Sequence, residues 1–236
     1  PYSTTAMSAA EKFQAPSLRH FFGTDNFGRD IFSRVMQGLG TTVVVSSLVV
    51  AVSGTAGILL GAFTGYFGGL LDEVVMRITD AVNGFPSILL TLVIISLLGS
   101  GKWNVVLSLG IVFTPSFVRI VRSEFLRLRD ADYIRRARLM GVGRLRILFV
   151  HILPNVFSVF WVSVMIGFNN AILAESGMSY LGIGVQPPDA SLGKMLSDAQ
   201  GYLQNAPWYA CTPGLTIVWL VLGFSLLGEG IRRRGE

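Results

Sequence analysis

Cysteine and histidine are nearly missing: one Cys and two His occur among 236 residues. Cys211 has no partner for an intramolecular disulfide, and no Cys/His spacing outlines a metal site. His20 and His151 lie far apart in the chain, and His151, before Ile-Leu-Pro, reads as a residue at a helix boundary. Charge is also scarce: 14% of residues are charged and 51% hydrophobic, against about 25% charged in a soluble domain. With a mean hydropathy of +0.59, the composition suits a lipid-facing surface. No Gly-x-x-x-x-Gly-Lys-Ser/Thr loop occurs, so the chain itself is expected to hold neither nucleotide nor other cofactor. No Ser/His, paired-carboxylate or metal-ligand set lies within the apolar runs, so no catalytic residue and no enzyme is expected. Paired mid-membrane ionisable residues and inverted repeats, marks of the alternative class of ATP-independent transporter or channel, are not visible either. The chain begins at Pro1 with no signal-peptide pattern, and the expectation is that something precedes it.

What is present is a series of long apolar runs. About 20 apolar residues span a hydrocarbon core, and Val35–Leu71 carries no charge, predicting a first span near 40–65. Gly54, Gly57 and Gly61 recur there at helical spacing, a face suited to close helix packing, and Gly65-Tyr-Phe-Gly-Gly69 predicts a turn. A second span is predicted from Val74 to Leu98, with Asp80 and Asn83 in its first turns and Pro86 bending it. Two more cover 103–121, with Pro115 inside, and 152–174; the last runs 207–228, with Trp208 and Tyr209 as interface anchors. The expectation is an all-α, polytopic bundle of five spans.

Domain bounds follow: residues 1–34 as an outer segment, 35–228 as the membrane domain, and 229–236 as a basic tail. In the outer segment, Asp25 or Asn26 is expected to cap a short amphipathic helix, with Asp30 and Arg34 in a surface ion pair. Residues 175–206 form a polar outer loop with a helix near 194–203.

The one long polar interruption is Asp130–Asn155. Nine arginines fall between Arg119 and Arg146 against Glu124, Asp130 and Asp132. Alternate loops divide the nineteen basic residues thirteen to six, which places this loop and the C-terminus in the cytoplasm. Basic residues confined to loop and tail argue against nucleic acid and for contact with lipid headgroups. Two short helices broken at Gly141-Val-Gly143 are predicted, the first placing Ile134, Ala137 and Met140 or Gly141 on one face for a partner's groove.

These residues carry a resemblance. Ala137-Arg-Leu-Met-Gly141, with Leu153-Pro154 beyond it, is similar to the EAA loop of bacterial ABC importer permeases. Arg135 and Arg136 stand where that pattern has Glu and Ala, and His151 stands for its Ile. His20-Phe-Phe-Gly-Thr-Asp-Asn-Phe-Gly-Arg-Asp30, Gly65-Tyr-Phe-Gly-Gly69 and Ser179-Tyr-Leu-Gly-Ile-Gly-Val-Gln-Pro-Pro188 resemble the second, C-type subunit of dipeptide/oligopeptide/nickel importers.

The resemblance implies a type I importer fold with the family's first helix absent, in a bacterial or archaeal cytoplasmic membrane. It implies a homologous second permease, two cytoplasmic subunits binding ATP and Mg, and an outer solute-binding protein. The loop 123–151 would couple to the ATP-binding subunits through Tyr133, Arg135, Arg136, Ala137, Arg138, Leu139, Met140, Gly141 and Pro154. Asp25, Arg29, Asp30, Gln186 and Pro187 would dock the binding protein. Asn169, Asn170 and Glu175 would either line the solute path or hydrogen-bond the partner permease, with Glu175 close enough to the boundary to be wet. Asp80 and Asn83 would support the coupling loop.

Overall fold

In the computed structural model the described residues are 2–235; Pro1, Glu236 and the side chains of Arg232 and Arg234 lie outside them. Among the described residues the regular elements are helices: α1 (Ile31–Phe67), α2 (Gly69–Asn83), α3 (Ser87–Leu98), α4 (Lys102–Arg129), α5 (Asp132–Leu139), α6 (Arg144–Arg146), α7 (Leu153–Tyr180), α8 (Leu192–Ala199) and α9 (Pro207–Gly235). Four helical runs are long and apolar enough to cross a membrane: α1, α4, Arg144–Tyr180 and α9.

The fifth crossing is a bent pair. α2 and α3 meet at 92°, so the single span expected over 74–98 is broken where Pro86 cannot continue the backbone ladder. Why this pair must return across the membrane follows from packing. Gly57 meets Phe117, Gly61 meets Val118 and Val121, and Gly65 meets Phe125. Residue numbers rise together on both helices, so α1 and α4 run parallel, and the chain between them has to climb back.

The glycine seam explains how closely they pack. A Cβ on Gly57 would lie 2.3 Å from Phe117 Cβ, and one on Gly61 2.7 Å from the Val118 carbonyl oxygen. Gly65, expected in a turn, is the third member of the seam, whereas Gly54 faces Phe160 of α7. The chain turns later, at Gly68 and Gly69.

α7 runs antiparallel to α1, pairing Phe160 with Gly54 and Glu175 with Thr42. α9 lies against α7, with Gly228 on Met165 and Asn169 bonded to Ser225. Its other face is open, with Trp219 and Leu226 each 73% exposed. The expected basic tail continues α9 to Gly235, where Arg233 pairs with Glu229 at 3.0 Å.

Two expectations are corrected here. The third expected span extends from Lys102 to Arg129, past 121, so the first residues of the expected loop 123–151 are helix. The second helix of the basic loop is not separate: 144–180 is one continuous run. Pro154 lies inside that run, and the turn before it widens, with the Leu153 N–H reaching back to the Leu148 carbonyl. This accommodates the donor that proline lacks.

The outer segment also differs. Among the described residues its one helical element before α1 is Ala9–Glu11, and 23–30 is a loop closed by a Thr24–Asp30 bridge rather than an amphipathic helix. Asp30, not Asp25 or Asn26, caps α1, accepting from Ser33 N at 2.8 Å. Its other oxygen faces buried His20 Nδ1 at 2.9 Å, so the surface pair with Arg34 does not form. Arg34 is buried instead, its guanidinium 3.7 Å from Asp25.

Candidate functional site

At the arginine-rich end of the bundle, α5 is held by its inner face. Ile134 and Ala137 are 0% and 5% exposed; Ile134 belongs to the core with Phe125, Ile147 and Leu148. The small-residue face expected to enter a partner's groove is therefore committed to the bundle, because bound apolar surface is worth more there than in water. What points outward is Tyr133, Arg135, Arg136, Leu139 and Met140, the last two 88% and 76% exposed. Arg138 is exposed at the rim, donating to the Arg129 carbonyl at 3.2 Å and lying 6.0 Å from the Tyr66 ring.

Gly141 stops the helix. It has φ +77°, its N–H bonds to the Arg138 carbonyl, and the Val142 N–H bonds to the Ala137 carbonyl. This paired pattern closes a helix end with a left-handed residue, for which glycine has no steric penalty. Nothing lies within 4 Å of where its Cβ would be, so the turn is free to meet another surface. Pro154 is exposed on the next helix.

Arginines nearer the bilayer brace the frame. Arg122 forms a two-pronged bond to Asp72 at 2.5 and 2.7 Å, and Arg119 reaches Asp80 at 2.6 Å, both joining α4 to α2. Asp80 thus supports α4 rather than the coupling loop.

Above this end, α3, α4 and α7 enclose an open cavity of about 650 Å³. Its polar groups are Asn83, Ser87, Thr91, Ser116, Ser163 and Asn170, among walls such as Phe85, Phe113 and Phe117, and no ionisable side chain lines it. Of the three residues expected either on the path or bonded to a partner, Asn170 lines the cavity. Asn83, expected to support the coupling loop, lines the cavity as well, because the α2–α3 bend turns its end inward. The serines carried no signal in the sequence, since a lone serine in an apolar helix commonly bonds back to its own backbone.

Asn169 and Glu175 are elsewhere. Asn169 donates to Ser225 Oγ on α9 at 2.8 Å, an interhelical bond within this chain. Glu175 is 0% exposed, accepting from Thr42 Oγ1 at 2.9 Å and Ser179 Oγ at 2.7 Å. It is neither wet nor on the cavity. Ser179 Oγ accepts in turn from the Val185 N–H at 3.1 Å, so the carboxylate anchors the outer loop to α1.

On the outer surface, the docking set divides. Asp25 and Asp30 are 0% and 4% exposed and cannot touch a partner. Asp25 accepts from Phe27 N, Arg29 N and Arg29 Nε at 2.8, 2.9 and 2.6 Å, shaping the 23–30 loop. Arg29 is thereby tied at half-burial, while Pro187 is exposed and half-buried Gln186 donates to the Gly182 and Gly184 carbonyls. Tyr209, expected as an interface anchor, is buried, its hydroxyl 3.4 Å from Asn26 Oδ1. The outer helix is α8, Leu192–Ala199, capped by Ser191, and Lys102 ties the loop before it through Asp189 at 2.6 Å.

Residues 57–234 match the family described as "Binding-protein-dependent transport system inner membrane component". The chain is 40% identical to the dipeptide transport system permease protein DppC of Alkalihalophilus pseudofirmus, over 94% of this chain and 73% of that one. It is 39% identical to the glutathione transport system permease protein GsiD of Pectobacterium atrosepticum, covering 93% and 73%. Among solved structures, the inward-facing MetNI methionine ABC transporter is similar at TM-score 0.66 and 19% identity, covering 86% of this chain and 95% of the other.

Proposed function

The chain belongs to the family of inner membrane components of binding-protein-dependent transport systems, as a C-type permease subunit of an ABC importer. From that premise we propose that it forms half of the path for peptides or related solutes, with nickel chelates, haem and glutathione in the same range. Two relatives are named for dipeptide and glutathione transport, which supports the solute class. A homologous permease would supply the other half, and two subunits carrying ATP and Mg would supply the energy, so no enzymatic step falls to this chain. A solute-binding protein would dock on the surface around Pro187 and α8, in the cytoplasmic membrane of a bacterium or archaeon.

The observation that carries this reading is that the exposed helix α5 is rigidly joined to the cavity walls. A push on Leu139 and Met140 meets the stop at Gly141, passes through buried Ile134 to the ends of α4 and α7, and reaches Ser116, Phe117 and Asn170. A loop lacking that internal face would bend under load instead. Alternating access then requires these helices to tilt as units, which the glycine seam permits by keeping α1 and α4 as one body.

The test is uptake of a labelled dipeptide by vesicles holding both permeases, the ATP-binding subunits and the binding protein. Uptake that needs internal ATP and outer binding protein supports the proposal. Uptake driven by an ion gradient without ATP would instead establish the secondary-transporter alternative.

A further inference from the structure

The nine arginines of the central segment are not equivalent in the folded chain. Arg119, Arg122, Arg127, Arg129 and Arg138 each bond or pair within the protein. Arg135, Arg136, Arg144 and Arg146 are exposed, and their side chains make no hydrogen bond or ion pair with any described residue. All four flank the turn at Gly141, two on α5 and two at the start of the following helix. Between them lie Leu139, Met140 and Leu145, at 88%, 76% and 59% exposed. Asp132, at the opposite end of α5, and Asp130 are the exposed acids nearest in the chain.

An apolar tip ringed by unpaired guanidinium groups is the pattern of an interface core with a charged rim. A helix that lies on a bilayer turns its apolar face to lipid, but here that face, Ile134 and Ala137, is already spent on the bundle. Arginine offers five donors in a planar fork that fits a carboxylate in two prongs. We propose that the ATP-binding subunit receives this tip in a groove with an apolar floor, for Leu139, Met140 and Leu145, and an acidic rim, for Arg135, Arg136, Arg144 and Arg146. The inference rests on the coupling reading and adds the chemistry by which this permease selects its ATPase. Rim charges of this kind act on partner choice and association rate, so selection should weaken with salt.

The experiment measures capture of the ATP-binding subunit by the complete permease pair in vesicles, with permease level in the membrane checked for each variant. Arg135→Glu with Arg136→Glu should weaken capture roughly tenfold or more, about the loss of one good ion-pair contact. Arg135→Lys with Arg136→Lys should retain most of it. Acid-to-lysine changes on the groove rim of the ATP-binding subunit should restore capture by the glutamate variant. Leu139→Asp with Met140→Asp separates the two readings. If that pair abolishes capture while the glutamate variant captures normally, the acidic rim is overturned and the coupling reading stands. If neither pair alters capture, both fall. The measurement is repeated in phosphatidylcholine and in phosphatidylglycerol vesicles. A defect confined to the anionic vesicles would show that the arginines hold lipid headgroups and would overturn the proposal.

Discussion

Gly57→Ala at the α1–α4 seam tests the packing on which the mechanical reading depends. The new Cβ would stand 2.3 Å from Phe117 Cβ, where ordinary contact begins at 3.4 Å, so the helices must part by about an ångström at that level. Overpacking of this kind costs about 1–3 kcal/mol, against a helix-propensity gain of up to about 1 kcal/mol for Gly→Ala. Net destabilisation of about 1–2 kcal/mol would lower the unfolding midpoint by roughly 5 °C for a chain of this length. Gly40→Ala is the control, since nothing lies within 4 Å of its added carbon. Both variants would be followed by thermal unfolding of the purified permease in lipid nanodiscs. Because one parting of the helices relieves both sites, Gly57→Ala with Gly61→Ala should cost less than the two changes added. Transport should fall too, since Phe117 lines the cavity and its ring packs on Gly167. A Gly57→Ala midpoint equal to or above that of Gly40→Ala would refute the close-packed seam.

The cavity gives a paired test: Asn170→Leu should slow dipeptide uptake several-fold with assembly and unfolding unchanged, while Asn169→Ala should cost about 1 kcal/mol through the lost Ser225 bond and leave uptake largely intact. The reverse ranking would move the path to the other face of α7. At the outer end, Glu175→Leu strands the hydroxyls of Thr42 and Ser179 and should destabilise by about 1–3 kcal/mol; Glu175→Gln, which keeps an acceptor, should cost less by thermal unfolding. Equal effects would mean that the bonds contribute nothing. Finally, Gly141→Glu should insert normally yet sever stimulated ATP hydrolysis from uptake, through strain of about 1–2 kcal/mol at a positive φ and an acid placed in the docking turn. Normal coupled transport by that variant would sink the idea.

Much of this protein was legible where the cause is local. Apolar length marked the crossings, Pro86 marked the bend, and Gly141 marked the stop of α5. The spacing of Gly57 and Gly61 announced a close approach, though not that α4 would be the neighbour. Failures cluster at polar residues near the outer surface. Asp25, Asp30 and Glu175 looked solvent-exposed because charge beside a boundary usually is. Their partners make them internal, and for Glu175 that partner, Thr42, lies 133 residues away. Tyr209 misled for the same reason, its contact with Asn26 being 183 residues distant.

The sequence by itself determined that the chain crosses a membrane, how often, and which end bears the arginines, because hydrocarbon excludes charge and unpaired backbone whatever the neighbours. Only the tertiary structure decided that α1 and α4 run parallel, that Asn170 rather than Asn169 faces the cavity, and that the side chains of four of the nine arginines stay unpaired within the described residues. Those outcomes depend on which helix packs against which, and that pairing is set by shape and hydrogen bonding between segments far apart in the chain.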